Sequence, residues 1–165
     1  MKEITLCLLT KELCHQFFRD HESDPAVYAD QREFQPYVYS KEAADSFYER
    51  KQVPGRLELV AMSEGQTIGR VQLKNIDKLK RECELGFHMQ NDSFKGLGYG
   101  TRIARLALQY AFENLGMEAV CAYTLLTNTR SQHVLEKVGF QYISQKDGFR
   151  YYRCQIRDIS MEPSL

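Results

Sequence analysis

Along this chain the spacing of apolar and polar residues changes period several times, and each change marks an element. Ile4 to Leu9 carries a short strand pattern. Thr10 then stands where a helix cap belongs, and Leu13, Phe17 and Phe18 mark the apolar side of a helix running to about Asp20. His21 to Ser40 holds two prolines and mixed signals, which read as loop with room for one helical turn. Ser40 caps a second helix, Lys41 to Lys51, with Ala44, Phe47 and Tyr48 inward and Pro54-Gly55 as its stop.

The period then shifts to two. Arg56 to Glu64 and Thr67 to Ile76 flank Gly65-Gln66 as a hairpin, and Arg81 to Met89 alternates cleanly as the next antiparallel strand. A glycine-rich turn opens a helix from about Gly98 to Leu115, ended by Gly116. Glu118 to Leu126 is a strand, Thr129 to Val138 a short helix stopped by Gly139, and Phe140 to Ser144 with Phe149 to Ile156 a closing hairpin around Asp147-Gly148. The predicted order is β-α-α-β-β-β-α-β-α-β-β. That is an α/β (α+β) fold with a mixed, mostly antiparallel central sheet of about seven strands and helices on both faces. Its 165 residues suit one domain, residues 1–165.

Charge narrows the partners. Lys+Arg 22 against Asp+Glu 22 gives no bulk field for nucleic acid or an anionic membrane, so any anionic ligand must be held by local geometry. No apolar run reaches spanning length and the first residues lack a signal-peptide cleavage site, so a cytoplasmic protein is expected. The five cysteines (Cys7, Cys14, Cys83, Cys121 and Cys154) form no Cys/His cluster at zinc spacing. No metal is expected, and the thiols read as small, mostly buried and reduced.

Candidate chemistry begins at "KGLGYGT", where Gly96, Gly98 and Gly100 crowd the start of the longest helix despite the poor helix propensity of glycine. A dinucleotide fingerprint would need its third glycine where Thr101 stands, and a phosphate P-loop would need its lysine inside the loop. A helix N-terminus offers free N–H donors and the positive end of a dipole, and glycines let a diphosphate approach them. Lys95 adds a cation and Thr101 a hydroxyl. A tight strand-to-helix turn without a ligand would use the same residues.

"KGLGYGT" resembles the Arg/Gln-x-x-Gly-x-Gly/Ala motif of the GNAT superfamily of acyl-CoA-dependent N-acetyltransferases, with Lys95 where Arg or Gln is usual. "TNTRSQHVLEKVGF" (Thr127 to Phe140) is similar to the Asn-to-Gly-Phe segment that follows the next strand in that family. The likeness covers roughly Arg56 to Cys154 and is strongest to the branch that acetylates ribosomal-protein N-termini. It implies the GNAT fold, acetyl-CoA as cosubstrate and a primary amine as acceptor, either a protein N-terminus or a small molecule. Transfer is expected by direct attack in a ternary complex, and homodimers are common in the family.

The resemblance also implies site residues. Lys95, Gly96, Leu97, Gly98, Tyr99, Gly100 and Thr101 would grip the CoA diphosphate, and Asn128 would cap the short helix and touch the pantetheine arm. Main-chain groups around Phe87, His88 and Met89 would pair with that arm, on a strand that splays from its neighbour. The tyrosine many members use as general acid is replaced by Leu135, so Ser131 is the first candidate for protonating the leaving thiolate, with Tyr142 and Tyr123 as substitutes. Period two puts Glu82, Glu84 and His88 on one strand face, and Glu84 is the expected general base, with Glu82 and His88 as alternates and its pKa raised if it is buried. Tyr28, Tyr37 and Tyr39 could line an amine pocket, while His133 reads as a surface residue. The rival reading is a catalytically weak CoA-binding regulatory module, which Leu135 favours.

Overall fold

The computed structural model describes residues 2–159. In chain order the elements are β1 (Thr5–Leu8), α1 (Lys11–Arg19), α2 (Lys41–Lys51), β2 (Leu57–Ser63), β3 (Gln66–Asp77), β4 (Glu82–Met89), α3 (Tyr99–Gln109), β5 (Ala119–Leu125), α4 (Thr129–Lys137), β6 (Gln141–Lys146) and β7 (Phe149–Gln155). This is the order predicted from the sequence. The seven strands form one sheet, ordered β1-β2-β3-β4-β5-β7-β6. Among the described residues only β4 and β5 pair in parallel, as the α3 crossover between them requires.

Alternation along β2 shows how the layers form. Leu59 and Ala61 enter the core with Val71, Ile103, Ala107 and Leu108, while Val60 points the other way into a core with Phe17, Phe18, Cys14 and Ala44. Helices α1 and α2 therefore cover one face and α3 the other. The predicted caps are in place: Thr10 Oγ1 accepts from Leu13 N at 3.2 Å, and Ser40 Oγ accepts from Ala43 N at 3.1 Å.

Two boundaries differ from the sequence reading. The β2–β3 turn is Glu64-Gly65, at φ 50° and 76°, not Gly65-Gln66. A type I′ hairpin needs positive φ at both central residues and favours glycine in the second place, which pulls Gln66 into the strand. The third helix does not run as α-helix to Leu115. Tyr110–Asn114 forms a wider π turn, with Leu115 N donating to Tyr110 O at 3.3 Å.

Gly69 of β3 shows how tightly the sheet meets α3. A Cβ there would lie 3.0 Å from Ile103 Cδ1 and 3.1 Å from the His88 carbonyl oxygen. The isoleucine tip can yield but the backbone oxygen cannot, so Gly69→Ala is expected to cost about 1–3 kcal/mol. The urea midpoint measures it, and an unchanged midpoint would show that this contact has slack.

The feature that matters most for function is where pairing stops. β4 and β5 pair only at Glu82↔Ala119, Cys83↔Val120 and Glu84↔Cys121. Residues 85–89 of β4 and 122–125 of β5 then diverge, leaving a wedge in the middle of the sheet. The splay that only the family resemblance implied is present.

Candidate active site

The wedge opens towards the glycine loop. Gly96 and Gly98 sit at φ 75° and 80°, a left-handed backbone that side chains disfavour, and a Cβ on either would meet nothing within 4 Å. Gly98 is the N-cap of α3 and provides no side-chain acceptor. Side-chain oxygens of Thr10, Ser40 and Asn128 cap the other three α-helices, so among the described residues α3 alone has an uncapped first turn. Its first backbone bond runs from Arg102 N to Gly98 O at 3.2 Å. Free N–H donors thus face open space where the loop gives way to the helix.

Two chambers meet in the wedge. The larger, of about 650 Å³, runs from the glycine loop past α4 to α1, and the smaller, of about 300 Å³, lies between the diverging strands. Val27, Phe87, His88, Asn128 and Ser131 line both, so the two communicate. Of the expected cofactor residues, Phe87, His88, Met89, Lys95, Gly96, Gly98, Gly100, Thr101 and Asn128 line the larger chamber. Leu97 and Tyr99 do not: Leu97 is 60% exposed, and the Tyr99 ring packs edge-on against Phe94. Tyr28 lines the chamber, whereas Tyr37 packs on Phe18 and Tyr39 bonds His15 Nδ1 at 2.8 Å.

Ser131 occupies the junction, its N–H donated to Asn128 Oδ1 at 3.1 Å. Leu135 lines the smaller chamber, and so does Tyr123, whose hydroxyl lies 3.0 Å from Lys74 Nζ. Tyr142 lines neither; it is 52% exposed on β6 with its ring against Tyr152. Glu84 lines the smaller chamber but is not stranded among apolar groups, as a desolvated base would be. Lys74 Nζ stands 2.6 Å from its Oε1, and Asn75 Nδ2 donates to Oε2 at 3.3 Å. Glu82 lies outside both chambers, and its hydrogen bond with Arg153 holds its carboxyl below the usual range.

Lys95 departs from its expected task. Its ammonium is 2.7 Å from Asp24 and 2.5 Å from Asp92, in a side chain only 12% exposed. Burial alone would lower its pKa, but the two carboxylates outweigh it and push it up. Both partners of a loop-to-loop latch are thus engaged, and little charge is left over for a diphosphate. The cations facing the loop are instead Arg130 and Lys137 on α4, with His133 between them. The sequence reading missed Arg130 and Lys137; His133, which it placed on the surface, is indeed exposed and also lines the chamber. The signal was present, because 130, 133, 134 and 137 recur at helical spacing on one face.

His88 is held neutral, its pKa pushed down to about 3 by burial and by the positive charge of Arg70. Unfolded, an imidazole takes its proton near 6.5, so between these values the unfolded chain binds more protons and stability is lost as the pH is lowered. The slope from this residue is about 1.4 kcal/mol per pH unit, or roughly 2 kcal/mol between pH 6.5 and 5. Urea titrations across that window should show the loss, and His88→Gln should flatten it; an unchanged slope in the variant would assign the loss elsewhere. The thiols are also quiet: burial pushes Cys83 up to about 12 and Cys14 and Cys154 to about 11. Cys7, which the sequence reading grouped with the buried thiols, is exposed.

Comparison with known proteins identifies a family and a fold. The model of the acetyltransferase (GNAT) domain matches residues 4–141. A Bacillus subtilis (strain 168) protein, YdaF, provisionally named a ribosomal N-acetyltransferase, is 31% identical over 84 residues, 51% of this chain and 45% of that one. The spermidine N(1)-acetyltransferase of Escherichia coli (strain K12) is 26% identical over 106 residues, 64% of this chain and 56% of that one. The aligned stretches thus span about half the length of these curated relatives. Among solved structures, a spermidine N-acetyltransferase SpeG chimera from Vibrio cholerae and hSSAT superposes with a TM-score of 0.74 at 18% identity, covering 92% of this chain and 95% of that one. The Campylobacter jejuni N-acetyltransferase PseH gives 0.68 at 18% identity, covering 93% and 98%. At that identity the likeness speaks for the fold.

Proposed function

The chain belongs to the GNAT acetyltransferase family, and from that premise we propose that it moves an acetyl group from acetyl-CoA to a primary amine by direct attack. The observation that carries this reading is the uncapped, glycine-opened start of α3, which faces a chamber leading into the wedge between β4 and β5. A diphosphate fits there because Gly96 and Gly98 leave space for it, the first-turn amides lack acceptors, and Arg130 and Lys137 supply charge. The thioester supplies the activated acetyl group.

The residues of this chain position and move protons around it. The unpaired edge of β4 from Leu85 to Met89 offers main-chain donors and acceptors to an extended arm, as an added strand would use them. Ser131 Oγ, at the junction of the chambers, donates a proton to the departing thiolate. Glu84 is the carboxylate of the smaller chamber and takes the amine proton through water, with Lys74 giving way. Burial of the nearby thiols speaks for attack by the amine itself over a cysteine acyl-enzyme.

Release of free thiol from acetyl-CoA across a panel of amines tests the reading. Acceptor-dependent turnover is expected; coenzyme binding without release on any amine would favour a regulatory module. The names of the relatives suggest protein N-termini or polyamines as acceptors. All six residues of β6, at one edge of the sheet, are exposed, including Tyr142 and Ile143, and this supports pairing with a second copy. No helix among the described residues is long and apolar enough to cross a membrane, and a cytoplasmic enzyme is the reading adopted.

A further inference from the structure

At the inner end of the larger chamber, far along β3 from Lys74, stands Arg70. It is 9% exposed, lies beside His88 in the β3–β4 ladder and sits over the Phe47 ring at 4.7 Å. Its Nη1 donates to Glu58 Oε2 at 2.7 Å, its only hydrogen bond among the described residues, and the buried Nε has no partner. Glu58 is itself shared, because Arg56 Nε donates to its other oxygen at 2.7 Å. Two guanidiniums therefore divide one carboxylate in a site where Glu58 is 5% exposed, and one positive charge stays unbalanced. Unbalanced buried charge is costly unless a counter-ion joins it.

The geometry of the guanidinium says what would join it. With Nη1 committed to Glu58, the edge formed by Nε and Nη2 is left, a planar pair of donors that matches the two oxygens of a carboxylate. Among the described residues the other unengaged cations of the chamber, Arg130 and Lys137, stand on α4, and no free carboxylate lines it to welcome a polycation. Its sole carboxylate, Asp24, is already bound by Lys95. His21 and His88 both have their pKa lowered, first by burial and in part by Arg70, so neither adds a charge of its own at neutral pH. Its ladder partner His88 lines both chambers, so the space at Arg70 is continuous with the wedge.

We infer that the acceptor amine carries a carboxylate, seated on the unpaired edge of Arg70, which directs its amino group towards the wedge. This rests on the acetyl-transfer reading above and makes Arg70 a specificity determinant within it.

The test compares acceptors that differ only in the anionic group, using the full chain. Initial rates with β-alanine, β-alaninamide, 2-aminoethyl phosphate and spermidine are measured at saturating acetyl-CoA, and propionate binding is followed by calorimetry without any turnover. The expected result is a kcat/KM at least about tenfold higher for β-alanine than for its amide, because a buried donor pair left empty rejects the neutral analogue. Saturable propionate binding, competitive with acceptor and not with acetyl-CoA, is expected alongside it. Arg70→Lys keeps the charge but loses the fork, and should bring the carboxylate-to-amide ratio close to one and weaken propionate binding by a similar factor. Circular dichroism and the thermal midpoint check that this variant folds, and the wild-type comparison decides without it. Equal use of the amide, preference for spermidine or the phosphate, or absent propionate binding would overturn this inference while leaving acetyl transfer intact. Absence of acetyl-CoA binding would overturn both.

Discussion

Gly98→Glu is expected to weaken acetyl-CoA binding by at least about a hundredfold, or roughly 2.7 kcal/mol, while the protein stays folded. Two effects act at this position. The backbone sits at φ 80°, where a side chain costs about 1–2 kcal/mol, so some loss of stability is expected and no more than that. No protein atom lies within 4 Å of the new Cβ, so the added side chain occupies solvent or ligand space without displacing the core. Its carboxylate would stand at the positive end of the uncapped α3, where it both fills the volume and satisfies the amides that a diphosphate needs. Gly98→Ala carries the strain without the anion and should retain most of the affinity. Isothermal calorimetry on the two variants separates the terms, and a glutamate variant that binds as well as the wild type would move the coenzyme away from this loop.

The second large effect is expected at Ser131. Removing its hydroxyl as Ser131→Ala should lower kcat about a hundredfold with little change in the KM for acetyl-CoA, because a proton donated to a leaving group counts only in the transition state. Ser131 suits this test for a structural reason. Its link to Asn128 runs through the backbone N–H, which alanine keeps, so the cap of α4 survives the substitution. Full activity in the variant would pass the role to water or to Tyr123, and Tyr123→Phe would then discriminate between them.

Local chemistry made the architecture legible. Thr10, Ser40 and Asn128 announced three helices because a cap is decided by residues three positions apart. The Asp147-Gly148 turn was equally plain, with both residues at positive φ as a tight hairpin demands. The glycine loop could be read because it too is a contiguous signal. What lay beyond reach was whatever depends on partners distant in the chain. Lys95 looked like a free cation until Asp24, on the loop after α1, was brought against it. Glu84 looked like a buried base until β3 placed Lys74 directly opposite. Arg70 carried no local hint at all, since its meaning comes from Glu58 and Arg56 twelve and more residues earlier.

The short run of parallel pairing between β4 and β5 has a mechanical consequence. The sheet behaves as an open book, with β1 to β4 as one leaf, β5 to β7 as the other, and Glu82 to Glu84 as the spine. Arg153 on one leaf grips Glu82 on the other at that spine, and Lys74 does the same within its own leaf for Glu84, bridging on to Tyr123 across the gutter. Loosening the Arg153–Glu82 rivet would change how far the pages part, and so how readily product leaves, without altering any group that touches the reacting atoms.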